Sequence, residues 1–373
     1  MPSLCSKFFR QNLIGIILVA LLLATSNTLA SEYFLGEVSE IIATEKTKEE
    51  ISSQPELKQI LKLKVANTTK VIEHHDLNPL KAIEPGAKVV LHKLEDGEFY
   101  LVDRYRLPVV LVVFLLLIVF VTFITKKRGF FSLLGLLLSV FILVGIGNQI
   151  LQGQPPLFVS SLGAFLISLI TIYLAHGINS RTTLALLSTL ISLLLALLLS
   201  FVFVHLAHLT GLGSEDAFYL QIGTNLKLNL QGILMSGIII GVLGILDDIT
   251  TTQVTAIYEI KKTKPTLNSR DLFASGLKIG KEHILSMLNT LVLAYAGAAF
   301  PLFLLFGLED AQNLWALLNS ELVAAELIRT FVGSLTLVFA VPLACFFAAQ
   351  YYGNKENRDC LAAQAKPELV SQR

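Results

Sequence analysis

Residues Gly237–Glu259, GIIIGVLGILDDITTTQVTAIYE, decide the fold. The run is helix-length and strongly apolar, yet it carries adjacent carboxylates at Asp247 and Asp248 and a Thr250-Thr251-Thr252-Gln253 cluster where lipid-facing side chains are expected. If residues 231–258 form one helix with a rise of about 1.5 Å per residue, the acidic pair lies roughly 25 Å along it, inside a membrane or at its inner boundary. An ionised group at that depth is costly, so it belongs in a protein interior or a watery cavity and marks a working site. At helical spacing Gly237, Gly241, Gly244, Asp248, Thr252, Thr255 and Glu259 fall near one face, with Asp247, Thr251, Val254 and Tyr258 beside it. Gly237, Gly241 and Gly244 read as positions where another helix packs closely.

Composition carries this reading to the whole chain. The 373 residues are 54% hydrophobic and 15% charged, with a mean hydropathy of +0.68, which places the chain among α-helical polytopic membrane proteins. A net charge of +1 and the lack of a basic stripe with interleaved aromatics argue against nucleic acid as a partner. Cys5, Cys345 and Cys360 have no metal-binding spacing, and none falls in the expected exported segment, so no structural disulfide and no cofactor are expected.

Residues 1–30, with Lys7, Arg10, the apolar run Leu13–Ala24 and Thr28-Leu29-Ala30, fit a signal peptide or an uncleaved signal anchor, and either one exports the segment that begins at Ser31. Residues 31–106 hold alternating runs at Leu61–Val65, Lys88–His92 and Glu98–Val102, separated by Glu84-Pro85-Gly86 and Glu95-Asp96-Gly97 turns. They predict a small β-rich extracytoplasmic domain, a partly open barrel. His74-His75-Asp76 reads as a solvated loop in preference to a metal site.

Residues 107–352 predict a seven-span membrane domain, with spans at 107–125, 129–150, 157–175, 182–204, 231–258, 284–306 and 328–352, followed by a cytoplasmic tail, 353–373. Alternate loops carry Lys126-Lys127-Arg128, Arg181, then Lys261, Lys262, Lys264, Arg270, Lys278 and Lys281. The positive-inside rule puts these loops in the cytoplasm of a multi-pass cell-membrane protein. His205 and His208, ahead of Glu215 and Asp216, have a spacing that could bind a metal, although histidines at a helix end more often sit at the interface. The segment 268–283 is amphipathic and reads as an interfacial helix leading into the next span. In that span Asn289 and Thr290 need partners, and Asp247, Asp248 and the threonines are the nearest by chain order.

The runs GILDDITTTQVTAIYEI (Gly244–Ile260) and LFASGLKIGKEHILSMLNTLVLAYAGAAFPLFLLF (Leu272–Phe306) resemble the signature of the YibE/F-like family of multi-span membrane proteins. The resemblance covers roughly residues 108–352 and implies the architecture without a substrate. The acidic pair, a Glu eleven residues after Asp248 and the amphipathic helix are also similar to the core of proton-driven resistance-nodulation-division transporters. The small exported domain, the single set of spans and the polar Thr250–Gln253 cluster depart from that pattern.

The leading functional reading is a transporter of a small solute or ion, coupled to a proton or cation through Asp247 and Asp248. Like charges side by side at low dielectric repel, and taking up a proton relieves the repulsion. Thr251, Thr252, Gln253, Glu259, Asn289 and Thr290 would complete an oxygen-rich set suited to a hard cation. The bland reading is that one aspartate only packs helices while the other lies at the interface near Lys261 and Lys262. A different class is an assembly or accessory factor whose exported domain binds a partner protein. Expected partners are the lipid bilayer and a further copy of the chain or a related membrane subunit. No HExxH, GxSxG or P-loop motif occurs, so no enzyme activity is expected.

Overall fold

The structure, a computed structural model, describes residues 33–48, 55–65, 68–76, 82–94, 97–223, 228–301, 304 and 314–354. The expected signal segment and tail lie outside them. By its contacts the chain forms two units, one built on a β-sheet and the first helix, the other on the remaining helices.

The sheet has five antiparallel strands, β1 (Tyr33–Lys48), β2 (Pro55–Val65), β3 (Thr68–Asp76), β4 (Lys88–Lys93) and β5 (Phe99–Arg104), in the order β3-β2-β1-β4-β5. This is the expected β-rich domain, open as a half-barrel. Alternation sets its inner face: Leu57, Gln59, Leu61, Leu63 and Val65 are buried, while Lys58, Lys62 and Lys64 point away. Val38, Ile72, Val89, Leu91 and Leu101 complete the core. The buried Gln59 is satisfied by Ile83, whose N–H donates to Gln59 Oε1 at 2.8 Å while Gln59 Nε2 donates to the Ile83 carbonyl at 3.3 Å. That exchange pins the chain ahead of β4 to the sheet. Gly86 turns it at a φ of 83°, as the Glu84-Pro85-Gly86 signal predicts.

His74-His75-Asp76 belongs to β3 and is not a loop, since β3 pairs with β2 along its whole length and sits at the sheet edge. On that edge Lys58 lies 3.2 Å from Glu73 and, with His75, holds the Glu73 carboxyl below its ordinary range. Both partners are well exposed, so the pair contributes little stability.

Helix α1 (Leu107–Thr125) is apolar all round and buries none of its residues, the pattern of a lipid-facing span. The second unit comprises α2 (Lys127–Leu151), α3 (Pro156–His176), α4 (Ser180–Leu206), α5 (Glu215–Gly223), α6 (Leu230–Thr263), α7 (Ser269–Ala298), α8 (Leu314–Leu318) and α9 (Glu321–Gly353). Local chemistry sets the ends of these helices. Pro156 opens α3, Gly177 closes it at a φ of 73°, and Asn179 begins α4 with a reciprocal capping box to Thr182.

Helix α6 is the centre of the bundle, packed against α3, α4, α9 and α7. Ile238, Ile239, Val242, Leu246, Val254 and Ile257 are among its fully buried side chains. Two sets of contacts define opposite ends. At one, the Arg181 guanidinium lies 4.5 Å from the centre of the Tyr258 ring, Tyr258 packs on Tyr352, and Ser180 bonds Tyr351 at 3.1 Å. At the other, the Glu321 carboxylate accepts from the N–H groups of Thr210 and Gly211, and Gln231 donates to the Leu209 carbonyl. Arg128, Arg181 and Lys264 therefore share one end, as the alternating-loop reading requires.

Among the described residues, six helices are long and apolar enough to cross a membrane: α1, α2, α3, α4, α6 and α9. The sequence predicts seven spans. Around the expected span 284–306 the chain forms α7, which begins at Ser269 and so absorbs the amphipathic segment into one continuous helix. Leu272, Gly276 and Gly280 of that segment are buried in the bundle rather than lying at a free interface. Part of 302–306 lies outside the described residues. The loop expected at 205–230 contains α5, with Phe218 and Tyr219 exposed.

Candidate functional site

Helix α6 has 34 residues, and Asp247 stands near its middle. Its carboxylate reaches α3, where Ser168, Thr171 and Ala175 follow one another at i, i+3 and i+7 on a single face. Thr171 Oγ1 donates to Asp247 Oδ2 at 2.6 Å. Ser168 approaches the same carboxylate without a well-formed hydrogen bond. Asp247 Oδ1 and Thr251 Oγ1 are buried and have no protein hydrogen-bond partner among the described residues. A buried carboxylate oxygen with nothing to accept is costly in a native interior.

These groups open into a cavity of about 470 Å3 between α2, α3 and α6. Ser132 and Ser139 of α2 line it, together with Thr171 and His176 of α3 and Gly244, Asp247, Asp248, Thr251 and Thr252 of α6. Asp248 is more exposed than Asp247 and stands on the rim. Among the described residues no Lys or Arg lies within 4 Å of either carboxylate, so neither is locked in a salt bridge. The arrangement offers a partly buried anionic oxygen, flanked by hydroxyls that can donate or accept, in a space large enough for a small solute. That set can bind a proton or a hard cation.

A second cavity of about 300 Å3 shares His176, Thr251 and Thr252 with the first and continues toward the basic end of the bundle. Arg128, Asn179, Arg181, Thr182 and Thr255 complete its lining.

The structure divides the expected site. Asp247, Asp248, Thr251 and Thr252 come together, whereas Gln253 does not join them. It points to the far side of α6, where its Nε2 donates to the Gly276 carbonyl at 2.7 Å and contacts Cys345 Sγ at 3.0 Å. It clamps α7 and α9 to α6. Glu259 is exposed two turns beyond the cavity and lines neither space. Asn289 and Thr290 are exposed on α7, and Thr290 bonds back to the Ser286 carbonyl, so neither meets the acidic pair. The reason is geometric: Asp247 faces α3, while α7 packs on the opposite side of α6.

The glycines also differ from one another. A side chain at Gly241 would meet the Tyr295 hydroxyl at 2.6 Å, so that glycine admits α7. Gly237 and Gly244 have no neighbour within 4 Å of a Cβ, and Gly244 borders the cavity instead of a helix. His205 bonds the Phe201 carbonyl at 2.7 Å and His208 is exposed. No cluster of three metal-ligating side chains occurs among the described residues.

Sequence reasoning misses Thr171, Ser168, Ser139 and His176. The usable signal is the i, i+3, i+7 stripe of small and hydroxyl residues in an otherwise apolar span, the complement of a polar face on another helix.

No curated protein and no solved structure matches the chain. The family model described as YibE/F-like protein matches residues 113–354, which include both cavities and all the helices that build them. The chain is thus a multi-pass integral membrane protein that belongs to the YibE/F-like family.

Proposed function

We propose that the protein is a transporter of a small solute or ion, coupled to a proton or hard cation at Asp247. One observation carries the reading: a carboxylate in the central helix keeps an unpartnered oxygen beside a 470 Å3 cavity lined by hydroxyls. A carboxylate that merely fastened helices would have both oxygens satisfied, because leaving one unmet loses stability without return. Asp248, on the rim, serves as the entry group, and Thr171 orients Asp247. In this reading the basic end faces the cytoplasm of the cell membrane, α7 completes a seventh crossing, and the sheet domain is exported.

Reconstitution into liposomes holding a pH-sensitive dye tests the coupling. Asp247→Asn keeps the shape of the side chain and removes its charge, so flux is expected to fall to the protein-free baseline. Asp248→Asn is expected to slow flux without abolishing it. Unchanged proton flux in both variants and in the double variant removes proton coupling. A screen of divalent ions by thermal shift tests the cation version, because a ligand of the folded state alone raises its stability.

A further inference from the structure

The cavity at the basic end has a chemistry opposite to that of its neighbour. Its lining contains two guanidinium groups, Arg128 and Arg181, the His176 ring and the hydroxyls of Thr251, Thr252 and Thr255, and no carboxylate. The three elements that converge there are the start of α2, the end of α3 and the start of α4, closed on one side by α6.

Two of the polar lining groups are already committed. Asn179 accepts from the N–H groups of Arg181 and Thr182 and donates to the carbonyls of His176 and Gly177. Thr182 Oγ1 donates to the Gly177 carbonyl at 2.8 Å. These bonds hold the junction of α3 and α4 rigid, so the remaining donors sit on a fixed frame. Arg181 rests on the Tyr258 ring, which holds its guanidinium against the wall through the ring face and so leaves the N–H edge available to a ligand. Among the described residues neither Arg128 nor Arg181 has an acidic side chain within salt-bridge distance. In the same lining, the Thr251 hydroxyl is buried and has no protein hydrogen-bond partner among the described residues.

Basic residues at a helix end ordinarily reach toward lipid headgroups as isolated side chains. Here they line a concave space whose walls offer donors from several helices, with an unmet hydroxyl in the same lining. Convergent donors without an anionic side chain are the complement of an oxyanion, and paired guanidinium groups match the geometry of phosphate in particular. The first turns of α2 and α4 bring the positive ends of two helix dipoles to the same space, against one negative end from the last turn of α3.

We propose that this cavity binds a phosphate group, with Arg128 and Arg181 as its cationic contacts and Thr251 in the same lining. The phosphate is supplied either by a free anion or by an anionic lipid headgroup. The site does not depend on the transport reading, since it binds whether or not Asp247 carries flux.

The test uses the full-length protein. In one arm inorganic phosphate is titrated calorimetrically into detergent-solubilised protein, with chloride at matched ionic strength as the control. In the other, the protein is placed in nanodiscs of phosphatidylcholine alone or with phosphatidic acid, and retained lipid is counted by native mass spectrometry after extraction. Saturable binding in the first arm assigns a free anion; selective retention of phosphatidic acid in the second assigns a headgroup. In either case Arg128→Gln is expected to weaken binding about tenfold or more, the loss of one charge-assisted contact. Arg181→Lys, which keeps the charge but loses the planar fork, is expected to weaken it less. Lys264→Gln, at the same end but outside the cavity, is expected to leave it unchanged. Arg128 is exposed at a helix start, so its variant is expected to fold. The proposal is overturned if neither arm shows binding, if Arg128→Gln binds as the native protein does, or if Lys264→Gln weakens binding equally.

Discussion

Gln253 and Asp247 are six residues apart on one helix, and the sequence alone places them in one ligand set. The structure sends them to opposite sides of α6, and that separation yields a test. Gln253→Leu keeps the bulk of the side chain and loses its bonds to the Gly276 carbonyl and Cys345 Sγ. It also removes a buried Gln253 Oε1 that has no partner, which offsets part of the loss. The expected cost is about 1 kcal/mol in detergent unfolding, and under the proposed transport function flux per folded protein stays close to native. Abolished flux at unchanged stability would return Gln253 to the site. The acidic pair is legible because charge in an apolar run is conspicuous. Thr171 is not, because a threonine in a span is ordinary and its partner lies 76 residues away. Single-residue chemistry shows where a site sits on its own helix; the facing wall depends on which helices meet, and that is a property of packing.

At the scale of elements, the helices are fixed by composition and caps, but the way α7 joins the bundle depends on two small residues. A Cβ at Gly280 would lie 2.3 Å from Val341 Cγ1 of α9 and 3.2 Å from Gln253 Oε1, and one at Gly276 would lie 2.7 Å from Ile257 of α6. Close approach at these glycines lets α7 run against α9 although the first half of α7 carries Lys278, Lys281 and Glu282. The same charges lead a sequence reading to split this stretch into an interfacial helix and a separate span. The apolar period alone does not show that Leu272, Gly276 and Gly280 form a buried stripe. Gly280→Ala overpacks a site bounded by a β-branched side chain and is expected to cost about 1–3 kcal/mol. Val341→Ala opens the facing space, so the double variant is expected to be more stable than the sum of the single losses predicts, by about 0.5 kcal/mol or more. Additive losses in denaturant unfolding would show that α7 and α9 do not meet there.

Taken whole, the helical unit has two chemically different ends and a flank of large exposed apolar side chains between them, including Phe130, Phe141, Phe158, Leu194 and Phe339. Such a belt suits lipid and would be costly in water. Charge patterning assigns the ends from the sequence, because the basic loops alternate along the chain and each helix must reverse direction. The structure gathers the same residues physically, through Arg181 on Tyr258 at one end and Glu321 on the Thr210–Gly211 backbone at the other. Which end faces the cytoplasm is an expectation of the charge rule and is open to direct measurement. With Cys5, Cys345 and Cys360 replaced by serine, single cysteines are introduced at the exposed positions Gln152 and Ser214, at Ser180 and Thr263, and at Tyr100 on the sheet. In intact cells a membrane-impermeant maleimide is expected to label the first two and Tyr100→Cys. The variants at Ser180 and Thr263 are expected to react only after permeabilisation. The reverse pattern would invert the orientation and place the cavity lined by Arg128 and Arg181 at the outer side. Labelling of Gln152→Cys and Ser180→Cys from the same side would break the two-ended architecture itself, since α3 crosses between them.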